Sequence, residues 1–191
     1  MLCERTIGFI LYYKYNINMV AAEHIKYALK SVFKLQCKRS GKVYVSVCPG
    51  KADLTDDLQS IKEKGVSVIV CLTEWKEMKN FKIKNYPYMA RENGFVFYHV
   101  PIPDESVPKL AELQILFPLL VNHLYSGKNV LIHCMAGKGR SCTITACLLC
   151  YLGISPDIAV KLLRRGVCDC IDNKKQINFI TKYWDYIRDQ Y

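Results

Sequence analysis

Val130-Leu131-Ile132-His133-Cys134-Met135-Ala136-Gly137-Lys138-Gly139-Arg140-Ser141 is the stretch on which the reading of this chain turns. An apolar β-rich run, Asn129–His133, leads in, and Ser141–Leu152, apolar nearly all round as a buried helix should be, leads out. The loop therefore sits at the carboxyl end of a strand and the amino end of a helix. Gly137 and Gly139 let the backbone turn tightly, with positive φ where needed. The N–H groups of Met135, Ala136, Gly137, Lys138, Gly139 and Arg140 can then face inward as an anion-binding nest, reinforced by the positive end of the helix. Arg140 can hold a tetrahedral dianion through two parallel hydrogen bonds, which a lysine cannot do. The same field stabilises a thiolate: such sites lower a cysteine from near 8.5 to roughly 3.5–7.5. Cys134 is thus read as a nucleophile toward phosphorus. A Cys six residues before an Arg is weak alone, since about 0.4 such pairs arise by chance in this composition. Adding His133 and the two glycines cuts that to the order of 10⁻⁵. A cysteine protease would need a base such as His24, His99 or His123, and its chemistry gives the anion loop no role.

Outward from the loop, further β-rich runs are expected at Val43–Val47, Val66–Leu72 and Phe95–Val100. Met19–Leu35 reads as an amphipathic helix, with Ile25, Leu29, Val32 and Phe33 at helical spacing and Asn18 as its cap. Leu110–Tyr125 reads as a helix that Pro118 should kink or split. Gly153 ends the helix after the loop, Ser155-Pro156-Asp157 starts the next, and a last one runs from about Lys174 with Ile177, Ile180, Trp184 and Ile187 on one face. Strands alternating with helices predict an α/β fold: one domain with a central, mostly parallel sheet of about four to five strands flanked by helices. The basic turn at 38–42 divides the chain into an extension, residues 1–42, and a catalytic domain, residues 43–191.

The chain has 191 residues, 51% of them hydrophobic, enough for a core that needs neither disulfide nor metal. Ile7–Tyr13 is too short for a signal peptide and is followed at once by Lys14, and no run approaches the ~20 apolar residues of a membrane span. The expected setting is intracellular, cytoplasmic or nuclear, with most of the ten cysteines acting as small buried hydrophobes. Cys168-x-Cys170 is too closely spaced for a zinc pair, and the loop with its arginine supplies the positive charge, so no cofactor or metal is expected. The formal charge of +10 favours acidic partners: phosphorylated protein, anionic lipid or RNA.

His133-Cys134-x5-Arg140-Ser141 resembles the signature of the cysteine-dependent protein phosphatases. Cys48-Pro49-Gly50, Pro101-Ile102-Pro103-Asp104, Gly139-Arg140-Ser141-Cys142, Ala146-Cys147-Leu148-Leu149, Ile154-Ser155-Pro156 and Lys175-Gln176 extend the resemblance to the dual-specificity branch, and within it to the group of cyclin-dependent-kinase-associated phosphatases. It covers residues 43 to 190. It implies a phosphocysteine intermediate, with Asp104 protonating the leaving oxygen and then activating water. Glu105 is a rival acid and stands where the family usually has glycine or a small residue. By the same resemblance, the Ser141 hydroxyl bonds the cysteine sulfur; it can also cap the helix, and the two roles are compatible. His133 orients the loop, Gln176 positions water, and Cys71 traps an oxidised Cys134 as a disulfide, unless it is only a buried strand cysteine.

The chain has no inserted loop to build a deep phosphotyrosine pocket, so phosphoserine and phosphothreonine should enter as well. Lys138 also resembles the loop of three-position phosphoinositide phosphatases, although Met135 stands where that family has a second lysine. RNA 5′-phosphatase activity and non-catalytic phosphoprotein binding are the remaining alternatives. Residues 1–42 are a candidate element for partner docking or self-association.

Overall fold

The computed structural model describes residues 40–190 apart from Cys168 and Asp172, together with the backbone of residues 17–18 and 30–35. The apolar stretch 7–13, residues 19–29 of the expected first helix, Cys168, and most of the extension lie outside the described residues.

Among the described residues six strands form one sheet: β1 (Ile17–Asn18), β2 (Lys30–Leu35), β3 (Lys42–Ser46), β4 (Val66–Cys71), β5 (Val96–His99) and β6 (Asn129–His133), in the order β1-β2-β3-β6-β4-β5. β3, β6, β4 and β5 run parallel, and β1 and β2 are antiparallel additions at one edge. Among the described residues seven helices cover the sheet: α1 (Leu54–Glu63), α2 (Trp75–Asn80), α3 (Tyr86–Glu92), α4 (Leu110–Tyr125), α5 (Arg140–Tyr151), α6 (Pro156–Gly166) and α7 (Lys174–Arg188). This is the expected helix-flanked, mainly parallel sheet. β6 comes last among the strands yet lies between β3 and β4, so the loop that follows it opens at the middle of the carboxyl edge, where open α/β sheets bind ligands.

The strand side chains alternate between two faces, apart from a register shift between Val66 and Val68 of β4. Val43, Val45, Val68, Val70, Val130 and Ile132 point to one face, packing against α4, α5, α6 and α7. Tyr44, Ile69, Cys71 and Leu131 point to the other, against Leu58 and Ile61 of α1 and Tyr86 and Ala90 of α3. Every residue of α5 from Arg140 to Cys150 is buried. Its apolar side chains each contribute about 1.5–3 kcal/mol, which fixes the loop at its amino end to the rigid centre of the molecule.

Two expectations need correction. Lys30–Leu35 is not the end of a helix but β2, paired antiparallel with β3, and Asn18 pairs with Lys34 in β1. The register shifts between Ser31 and Phe33. A bulge breaks the period-two alternation of a strand, which is why Val32 and Phe33 imitate helical spacing; pairing the open edge of β3 outweighs local propensity. Pro118 does not split α4, which runs unbroken from Leu110 to Tyr125. Pro118 is exposed there, so water can take the bond that the missing N–H leaves unmade.

Candidate active site

The 134–140 loop is held from outside by its carbonyls. Met135 O accepts from Cys48 N–H at 3.3 Å, Lys138 O from Ile171 N–H at 3.3 Å and Gly139 O from Thr143 N–H at 2.9 Å. Gly137 O accepts from the Cys142 thiol at 3.6 Å. With the carbonyls turned to the scaffold, the loop's N–H groups are left for its interior, and Gly137 N–H donates to Cys134 Sγ at 3.3 Å. Gly137 has φ +73°, and a Cβ on it would stand 2.7 Å from the Ser46 carbonyl, so glycine is required on both counts.

Ser141 Oγ lies 3.4 Å from Cys134 Sγ. Gly139 occupies the cap position of α5 and no side chain caps it. Arg140, only 2% exposed, points across the cleft and is held on three sides. Nη1 and Nη2 donate to Glu77 Oε2 and Oε1, both at 2.7 Å, and Nη1 also donates to Ile102 O at 2.9 Å. Burial alone would raise the Glu77 carboxyl, but the hydrogen bonds and charge of Arg140 outweigh it and hold Glu77 below its ordinary value. Glu77 went unread in the sequence. The only trace of it is the pairing of Glu74 and Glu77 three apart, a capping box at the start of α2.

Asp104 is the exposed member of the set, its carboxylate 3.0 Å from Arg140 Nη2. Glu105 beside it has φ +55°, which explains why glycine suits that place better. The acid loop is docked on the start of α7: Asn173 Nδ2 donates to Glu105 O at 3.2 Å, and Gln176 Nε2 donates to Ser106 O at 3.2 Å. Gln176 is buried against Gly139, where an added Cβ would meet its amide at 3.2 Å, and its Oε1 has no hydrogen-bond partner. Asp104, Glu105, Cys134, Ala136, Gly139, Arg140, Asn173, Lys174 and Gln176 together line a cleft of about 430 Å³. Lys174 is a cation of this cleft that the sequence did not single out. Lys138, which the sequence did, is 56% exposed and turns to Asp169 at 4.0 Å.

His133 lies beneath the loop, fully buried, its Nε2 3.0 Å from the Tyr86 hydroxyl. Burial pushes its pKa down to about 3, so it is a neutral strut and not a base reaching into the cleft. Met135 packs on the other face of the sheet. Cys71 packs there too, paired across the sheet with His133, its thiol pushed up to about 12 by burial. Cys48, pushed by burial to about 11, feels the charge of Cys134; Cys71 feels Cys48 and Arg140.

Among the described residues no helix is long and apolar enough to cross a membrane. Residues 45–154 match the family described as polymorphic toxin system, DSP-PTPase phosphatase. The chain is 31% identical over 139 residues to cyclin-dependent kinase inhibitor 3 of Rattus norvegicus and of Homo sapiens; the match covers 71% of this chain and 65% of each of those proteins. It therefore spans about 65% of the length of these relatives. Among solved structures, a kinase-associated phosphatase with its catalytic-site cysteine replaced by serine superposes with TM-score 0.79 at 25% identity, covering 87% of this chain and 98% of the other. Tk-PTP in its active form gives TM-score 0.66 at 26% identity, over 76% and 92%. The chain belongs to the DSP-PTPase phosphatases, the dual-specificity family whose signature its loop carries.

Proposed function

We propose that this chain is a dual-specificity protein phosphatase, hydrolysing phosphotyrosine and phosphoserine or phosphothreonine through a cysteinyl-phosphate. The observation that carries this reading is a sulfur meeting a loop N–H and a serine hydroxyl, with a buried arginine on one wall of the cleft and an exposed carboxylate beside it. The catalytic unit is residues 43–191.

The phosphate enters with its oxygens against the loop N–H groups and Arg140, which neutralise it and keep it in line with Cys134. The Cys134 thiolate attacks phosphorus. The bond to the ester oxygen breaks, and Asp104 in its protonated form gives that oxygen a proton, since a free alkoxide or phenoxide is a poor leaving group. Asp104, now a carboxylate, takes a proton from water as the water attacks the phosphocysteine. Gln176 Oε1, unpaired and buried at the cleft wall, accepts the other water proton as a hydrogen bond. The sulfur leaves toward Ser141 Oγ, which donates to it. His133 and Tyr86 fix the loop from below.

The family and the cleft support this substrate class. Lys138 is exposed and lies 4.0 Å from Asp169, and Met135 packs on the core, which supports a protein over a phosphoinositide substrate. Release of p-nitrophenol from its phosphate tests the chemistry: it is expected with the wild type and lost in Cys134→Ser, and a fully active Cys134→Ser would falsify the mechanism. A panel of phosphotyrosyl and phosphothreonyl peptides, phosphoinositides and 5′-triphosphorylated RNA tests the substrate class. Turnover of peptides of both kinds is expected, and a panel in which only lipid or RNA is turned over overturns it.

A further inference from the structure

The excess positive charge of this chain has a second focus, outside the cleft. α2 and the turn after it read Trp75-Lys76-Glu77-Met78-Lys79-Asn80-Phe81-Lys82-Ile83-Lys84. Their carboxylates are taken: Glu74 pairs with Lys76 at 3.1 Å, and Glu77 with Arg140. Lys51, Lys79, Lys82 and Lys84 are exposed, and among the described residues none of them forms an ion pair. Two large aromatics stand out beside them, Trp75 at 60% exposure and Phe81 at 48%. The Trp75 ring packs edge-on against His99 at 4.5 Å, and Lys51 lies over the Phe81 ring at 5.2 Å. Trp75 and Lys79, four apart, share one face of α2.

Lys82 adds an independent observation. Its φ is +58°. Its N–H donates to Lys79 O at 3.0 Å and Ile83 N–H donates to Met78 O at 2.9 Å, the helix-ending motif in which the left-handed residue is usually glycine. A lysine is kept here against the backbone's preference, and it adds charge where the surface is already unneutralised.

This face adjoins the cleft from two directions. Glu77 of the same helix holds Arg140, and His99, on which Trp75 packs, ends the strand that leads to Asp104. We propose that the Lys51–Lys84 face docks an acidic segment, carrying an apolar side chain, that flanks the phosphorylated residue of the protein substrate. The lysines take its carboxylates and Trp75 and Phe81 its apolar group, a pairing that sets specificity and encounter rate. The inference rests on the protein-phosphatase reading above. Single-stranded RNA is the weaker occupant: base stacking needs a series of open rings, and this face offers two, Trp75 and Phe81.

The test uses two phosphotyrosyl peptides, one flanked by Asp, Glu and Leu, the other by Gly and Ser. The wild type should prefer the acidic peptide about tenfold in kcat/KM at low ionic strength, with the preference shrinking as salt rises. Lys79→Gln, Lys82→Gly and Lys84→Gln combined, and Trp75→Ala separately, should remove it through KM while leaving kcat and p-nitrophenyl phosphate kinetics unchanged. Lys82→Gly alone should weaken the preference while raising the thermal midpoint, which separates lost docking from lost folding. Equal kcat/KM for the two peptides in the wild type, or an unchanged preference in the variants, overturns the proposal. So does a triple variant that loses binding to a polyuridine oligonucleotide or to phosphatidylserine vesicles yet keeps its peptide preference. If p-nitrophenyl phosphate is hydrolysed and no phosphopeptide is, the substrate reading fails on its own. The face is then judged by binding of the same peptides, carrying a non-hydrolysable phosphotyrosine mimic, to the wild type. Salt-sensitive preference lost in the triple variant upholds it as an acidic-peptide site, and equal binding overturns it.

Discussion

Glu77 and Arg140 meet through two parallel hydrogen bonds of 2.7 Å, one to each Nη of the guanidinium. The end of the arginine fork is therefore occupied before any phosphate arrives. What remains for substrate is the side edge, where Asp104 now lies 3.0 Å from Nη2. Glu77 thus sets which donors of Arg140 face the cleft. Glu77→Gln keeps one acceptor but places an amide N–H₂ against the guanidinium, so Arg140 should lose its fixed direction. The expected outcome is about 10²-fold lower kcat/KM for p-nitrophenyl phosphate, together with weaker inhibition by inorganic phosphate. Unchanged phosphate inhibition would show that Glu77 serves folding alone. Glu77→Ala takes the bidentate partner from the buried Arg140, leaving it the exposed Asp104 and the Ile102 carbonyl, and should cost up to roughly 3–5 kcal/mol in urea unfolding. The folded Glu77 carboxyl lies below its unfolded value. Its stabilisation is therefore present above about pH 4.3 and lost as pH falls through the lower folded value.

What the sequence made legible follows from where the information lies. Cys134, Gly137, Gly139, Arg140 and Ser141 sit within one short loop, and their spacing alone places them around one anion. Asp104 was reached only through a resemblance, because its tie to Arg140 is made by the packing of β5 beside β4. Glu77 was missed for the same reason: its partner is 63 residues away. A carboxylate on a short, charged helix looks in sequence like any solvated residue. Lys138 went the other way. Its place in the loop suggested a ligand for the phosphate; its exposed side chain also has Asp169 at 4.0 Å, a neighbour the loop's spacing does not announce. Among the strands, β6 and β4 were plain because they are buried on both faces and read as continuous apolar runs, whereas β2, bulged where it pairs with β3, lost its period.

Asp104 should matter in proportion to the basicity of the leaving group. An acid is little needed for a leaving group that departs readily as an anion and is needed most for alkyl esters. Asp104→Asn should lower kcat/KM about 10²–10³-fold on a phosphothreonyl peptide and far less on an activated aryl phosphate. A series of aryl phosphates measures this as a steeper dependence of rate on phenol pKa. An equal loss across the series would remove Asp104 from the role of acid.

Gly137 carries two demands at once, a φ of +73° and the nearness of Ser46. Gly137→Ala must put a methyl within 2.7 Å of that carbonyl, and β3 is pinned to β6 over its whole length. The loop should yield rather than the sheet. Activity should fall about 10²-fold or more, with unfolding cost of only about 1–2 kcal/mol. Gly94 has a similar φ, +86°, with no atom near the place of a Cβ. Gly94→Ala should show the backbone penalty and keep its activity. Full activity in Gly137→Ala would mean that the loop's path does not depend on that contact.

His133 gives the fold a pH dependence whose sign can be worked out. Its folded pKa is about 3, held down mainly by burial, while the unfolded value is about 6.5. Between these values the unfolded chain binds a proton that the folded chain refuses, so stability rises with pH through that window and is lost as pH falls. From pH 7 to pH 5 the loss from this one group is about 2 kcal/mol. Urea unfolding at the two pH values measures it, and the other histidines cancel when the wild type is compared with His133→Gln. The variant should start less stable at pH 7, having lost its fit to Tyr86, yet fall less on going to pH 5. If both proteins lose the same stability over that interval, the imidazole is charged in the folded state. The neutral strut beneath Cys134 would then instead be a cation, contributing its own field to the sulfur.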